Sequence, residues 1–175
     1  GLRSSEGIIS AVFEPRALEQ YLAYVRKRVH ARNDARWVKS FVLSSPVSMY
    51  GEVHYPASTA GGYLVYGGAA RRNFRDWLKR HYAGDLNRLN QSWRAAMASW
   101  EDVAPPDGPL DDGSGLDKRQ AWSDFMHWYN EWLDTVSVRS LQTVRTQTRK
   151  PVALMLGGPK IGLSQGINLG NIGPI

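Results

Sequence analysis

Three short apolar runs, separated by stretches with helical periodicity, constrain this chain more than any other feature. Residues 8–13 (Ile-Ile-Ser-Ala-Val-Phe), 37–43 (Trp-Val-Lys-Ser-Phe-Val-Leu) and 152–156 (Val-Ala-Leu-Met-Leu) are too short for typical helices and read as strands. The second has the pattern of a strand buried on both faces. Between the first two, Pro15 suits the first turn of a helix, and Leu18, Tyr21, Leu22, Val25 and Val29 follow at helical spacing. Asn33-Asp34 then stops it. Strand, helix, strand in this order predicts parallel pairing through a right-handed crossover, hence an α/β fold. Three strands leave two parallel edges uncovered, which points to a larger sheet.

The segment between the second and third strands is mostly helical. Phe74, Trp77, Leu78 and Tyr82 define a short amphipathic helix stopped by Gly84, and Asp85 caps another that carries Leu86, Leu89 and Trp93. Residues 104–115 are surface loop on composition. From Asp117, a stripe of Trp122, Phe125, Tyr129, Trp132 and Val136 predicts one long helix to about Arg149, with a bend after Ser137. Lys150-Pro151 ends it. Residues 57–116 therefore form an insertion between a strand and the long helix, inside a single domain spanning 1–175.

Chemistry concentrates in residues 44–56, Ser-Ser-Pro-Val-Ser-Met-Tyr-Gly-Glu-Val-His-Tyr-Pro, directly after the second strand. Loops at the C-terminal ends of parallel strands build the active sites of α/β barrels and open α/β sheets alike. Of six glutamates, Glu14, Glu19, Glu101 and Glu131 lie in or beside helical patterns and Glu6 lies near the start. Glu52 alone joins a post-strand position to aromatic neighbours. A general acid needs a raised pKa, which partial burial against apolar and aromatic surface supplies, and Tyr50, Tyr55 and Pro56 are the candidates for that surface. Tyr50, His54 and Tyr55 are candidate pocket residues. Trp93 and Trp100, near the loop of the insertion, are candidates for stacking on a sugar. The competing reading of Glu52 is a loop carboxylate paired with an arginine.

Other chemistries find no support. There are no cysteines, the four histidines (30, 54, 81, 127) have no ligand spacing, and no Gly-x-Ser-x-Gly elbow exists. The Gly-Gly pairs at 61–62 and 67–68 lack the Gly-Lys-Ser/Thr of a phosphate loop. Neither a metal nor a cofactor is called for, and no apolar run approaches the roughly 20 residues of a membrane span. The net charge of +6 and pI near 9.7 raise nucleic-acid binding, but the cations fall mainly on helix faces without a recognition motif. Solvated helix surface explains them better.

Gly51-Glu52-Val-His-Tyr-Pro56 resembles the Gly-Glu-Leu-Arg-Tyr-Pro segment of β-amylases, in which that glutamate is the general acid. Residues 74–93 (Phe-Arg-Asp-Trp-Leu-Lys-Arg-His-Tyr-Ala-Gly-Asp-Leu-Asn-Arg-Leu-Asn-Gln-Ser-Trp) look like the run that follows the acid/base glutamate in family forty-two β-galactosidases. The likeness spans roughly residues 37–158. It implies part of a (β/α)8 TIM barrel, a glycosidase acting on carbohydrate, and Glu52 as acid/base. Gly51 departs from that family, which has asparagine there. The resemblance puts the nucleophile on a later strand, outside this chain, so a chain ragged at both ends is expected to be inactive alone. A non-catalytic carbohydrate-binding or structural barrel is the alternative, and nucleic-acid binding ranks below both.

Overall fold

Parallel pairing of two of the expected strands organises the fold. The computed structural model describes residues 14–43, 68–106 and 119–154. Helix α1 (Pro15–His30) leads to strand β1 (Phe41–Leu43). Helices α2 (Gly68–His81) and α3 (Leu86–Trp93) and a single 3-10 turn (Trp100–Asp102) follow. The long helix α4 (Arg119–Arg145) then returns the chain to strand β2 (Val152–Leu154). Strands β1 and β2 are parallel, with Phe41 opposite Val152, Val42 opposite Ala153 and Leu43 opposite Leu154. The first apolar run, residues 8–13, lies outside the described residues.

Strand alternation divides the sheet into a covered and an open face. Leu43 joins Val25 and Val29 of α1 and Leu141 and Val144 of α4 in one buried cluster, with Phe41, Val152 and Leu154 packed against it. Val42, 59% exposed, and exposed Ala153 point the other way. The expectation of a strand buried on both faces is therefore corrected. Only Phe41–Leu43 is strand, Trp37 is 75% exposed, and helices cover a single face.

The second cluster lies under the insertion. Phe74 is fully buried with its ring against Trp77, Trp93, Phe125 and Trp128, at centroid separations of 5.0–6.5 Å. Helix α4, at 27 residues about 40 Å long, serves both clusters. Its first half packs under α2 and α3, and its second half lies on α1 and the sheet. It ends at Arg145, earlier than the stripe predicts: Thr146 N–H makes a last helical bond to Gln142 O, and Gln147 N–H then closes a tighter turn onto Val144 O.

Helix ends follow local chemistry. The Asp85 carboxylate accepts from the backbone N–H groups of Asn87 and Arg88, as its position before α3 predicts. Helix α2 ends in a Schellman turn: Gly84 N–H reaches Lys79 O at 2.7 Å, and Ala83 N–H reaches Arg80 O. Ala83 takes the left-handed conformation at φ 54°, and Gly84 follows at φ 76°. Arg94 repeats that turn after α3 at φ 49°, with Ala95 N–H bonded to Asn90 O.

Candidate active site

The register of β1 and β2 fixes where the candidate loop starts. Leu43 and Leu154 are partners in a parallel pair, so the chain leaves both strands at the same end of the sheet. Residues 44–67 connect that end to the first turn of α2, and Glu52, Tyr50, His54 and Tyr55 belong to this stretch. All four lie outside the described residues. The described residues thus give the anchor of the loop, Leu43 held in the α1–α4 cluster, and its return point, Gly68.

The aromatic candidates are described, and they differ. Trp93 is 6% exposed, one ring face stacks on Phe74, and its indole N–H donates to Asp124 Oδ2 at 2.7 Å. A ring held this way has no free face for a sugar, so Trp93 is a packing residue in this structure. The helical spacing that put Leu86, Leu89 and Trp93 on one stripe was the better guide to it. Trp100 is half-buried in the 3-10 turn, with the Lys79 ammonium 5.8 Å from its ring centre. Arg75 fixes that turn by donating to the carbonyls of Glu101 and Val103. Trp100 therefore sits half-buried on a braced segment, packed against the rim of the cluster that holds Trp93.

Sequence reasoning missed the residues that hold the tryptophans. Asp124, 1% exposed, accepts from Tyr82 Oη at 2.6 Å and Trp93 Nε1 on one oxygen, and from Gln120 Nε2 at 2.8 Å on the other. Trp77 Nε1 donates to Glu131 at 2.7 Å, and Trp128 Nε1 donates to Asn73 at 2.8 Å. Each indole bond joins α4 to α2 or α3. A buried indole needs an acceptor for its N–H, and these three supply one. The signal was present: Asp124 lies three residues after Ala121 and four before Trp128, on the apolar face itself.

Burial pushes the Tyr82 phenol above the usual tyrosine range; its hydrogen bond to Asp124 and the charge there push further, against smaller opposing bonds from Ser92 and Trp93. Burial also raises Tyr21, against a hydrogen bond from Ser140. A raised folded-state pKa means stability present below the unfolded value of about 10 and lost as pH rises through the folded one. The stability advantage of the parent over Tyr82→Phe, followed by urea denaturation, is expected to hold near neutrality and shrink above about pH 10. An advantage that stays constant to about pH 11 would contradict it.

Among the described residues, no group of three His, Cys, Asp or Glu side chains is placed to hold a metal ion, and no helix is long and apolar enough to cross a membrane.

The comparisons agree with this architecture. The sequence model of glycoside hydrolase family 42, described as beta-galactosidase, matches residues 58–156, more than half of the chain. The chain belongs to this family. Glu52 falls just before the matched residues. The catalytic domain of beta-amylase from Paenibacillus polymyxa is similar in structure, with a TM-score of 0.61 and 21% identity. That likeness covers 84% of this chain and 37% of the amylase domain. The beta-galactosidase from Bacillus circulans sp. alkalophilus gives a TM-score of 0.56 at 19% identity, over 83% of this chain and 21% of that one. At such identities the likeness speaks to fold. This family member thus spans well under half the length of either structure. A search of the curated proteins finds no match.

Proposed function

We propose that this chain is the acid-bearing section of a (β/α)8 glycoside hydrolase that cleaves β-galactosides. The observation that carries the proposal is the parallel β1–β2 pair in a member of family 42, from whose C-terminal end the Glu52 stretch departs. Catalytic residues of α/β barrels come from that end of the strands. Glu52, as a carboxylic acid, protonates the glycosidic oxygen as the bond to the sugar breaks. As a carboxylate it then takes a proton from the incoming water. Tyr50, His54 and Tyr55 line the pocket, and the half-buried ring of Trp100 stacks on a sugar. The carboxylate that completes the reaction comes from a later strand of the barrel. The open face of the sheet, Val42 and Ala153, is the face such a barrel turns inward.

The test is hydrolysis of an aryl β-galactoside, followed by release of the aryl alcohol. A longer protein that carries this chain with a complete barrel is expected to turn it over, and the 175-residue chain by itself is not. Sugar binding without hydrolysis by the longer protein would favour a non-catalytic barrel and end the proposal.

A further inference from the structure

The end of the sheet opposite the candidate site carries a cleft of about 580 Å³, lined by Asn33 and by residues 145–150. It lies between the turn joining α1 to β1 and the turn joining α4 to β2. Lys150 ties the two turns together, its ammonium donating to Ala35 O at 3.1 Å. Charge here is one-sided. Residues 31–40 and 145–151 hold Arg32, Arg36, Lys39, Arg145, Arg149 and Lys150 against Asp34 alone, and no acid lines the cleft.

Cations at a helix C-terminus commonly serve the helix dipole. The last carbonyls of the helix, however, are already bonded by other groups. Thr146 N–H bonds Gln142 O, Gln147 N–H bonds Val144 O, and Thr146 Oγ1 donates to Thr143 O. Arg145 makes one long contact, 3.3 Å to Lys150 O, and exposed Arg149 makes no hydrogen bond or ion pair among the described residues. Asn33 adds a polar group whose Oδ1 is shielded from solvent and accepts no hydrogen bond among them. Its amide nitrogen makes one long bond, 3.4 Å to Asp34 Oδ1, and so keeps a second N–H to give.

We propose that this cleft binds a compact tetrahedral oxyanion, phosphate or sulfate, through the Arg145 and Arg149 guanidinium groups and the side chains of Asn33 and Thr148. Guanidinium suits this ligand because its planar donors meet two oxygens at once. A single concavity between two short turns fits a compact anion better than a strand of nucleic acid, which needs an extended basic track with stacking surfaces. The ion is either free in solution or the ester group of a phosphorylated or sulfated sugar. The inference stands apart from the catalytic proposal, since it uses the other end of the sheet and none of the candidate catalytic residues.

Calorimetric titration of the chain with inorganic phosphate, inorganic sulfate, a hexose 6-phosphate and the plain hexose, at constant ionic strength with chloride as the balancing ion, tests it. Binding of phosphate is expected with a dissociation constant on the order of millimolar. Arg145→Ala and Arg149→Ala are each expected to weaken it about tenfold, as loss of a charge-assisted hydrogen bond does. Arg149→Gln, which removes the charge but keeps a polar side chain, should do the same, with far-UV circular dichroism and the anion-free melting temperature unchanged. Tighter binding of the hexose phosphate than of phosphate identifies a sugar ester as the ligand, and equal binding identifies the free ion. No heat beyond the chloride control, parent-like affinity in folded arginine variants, or stronger binding to oligonucleotides as they lengthen would each overturn the assignment.

Discussion

Asp124→Ala is expected to destabilise the fold by about 3 kcal/mol, because it strips the acceptor from two buried donors at about 1–3 kcal/mol each. Trp93 Nε1 has no other acceptor among the described residues, whereas Tyr82 Oη retains Ser92 at 3.0 Å and Gln120 is exposed enough to turn to water. For a chain of this length that energy corresponds to a fall of about 10 °C in melting temperature. Asp124→Asn keeps the shape and one acceptor, and it is expected to lose about 1 kcal/mol. Trp93→Phe combined with Asp124→Ala should be less than additive, since both remove the same bond. A melting temperature for Asp124→Ala within about 2 °C of the parent would show that the carboxylate does not hold α3 onto α4.

The larger effect belongs to Glu52. In a longer protein that carries the proposed barrel, Glu52→Gln is expected to lower turnover of a β-galactoside by about 10²–10⁴-fold, the usual contribution of general acid–base catalysis. Glutamine fills the same volume and keeps a carbonyl oxygen, so the folded state should be unaffected. The amide has no proton to give to the glycosidic oxygen. Unaltered turnover in a folded variant would remove Glu52 from the mechanism.

Much of the fold was legible because its devices are local. The stripe from Leu18 to Val29, the Asp85 cap and the stop near Gly84 all act within a turn or two of chain, and the structure has each. Parallel pairing followed from the alternation of strands with helices. Misreadings came where burial depends on distant chain. Residues 37–43 are apolar enough for a central strand, yet what covers Trp37 and Val42 is not encoded within that run. Trp93 looked available from its place near a loop, and only the fold brings Asp124 beneath it, thirty-one positions along the chain. For the candidate site, the reach of the sequence was the position of Glu52 after a strand. The chemistry of a carboxyl depends on partners that spacing does not specify.

The most direct test of the central claim is how the effect of Glu52→Gln depends on the leaving group. A general acid matters most when the departing alcohol is a poor leaving group and least when it departs readily as an anion. Comparison of an alkyl β-galactoside with a dinitrophenyl β-galactoside in the complete barrel separates this role from any other. The account predicts a loss of about 10²-fold or more on the alkyl substrate and a much smaller loss in bond cleavage on the dinitrophenyl substrate. Equal losses on both, or none on either, would contradict Glu52 as the proton donor.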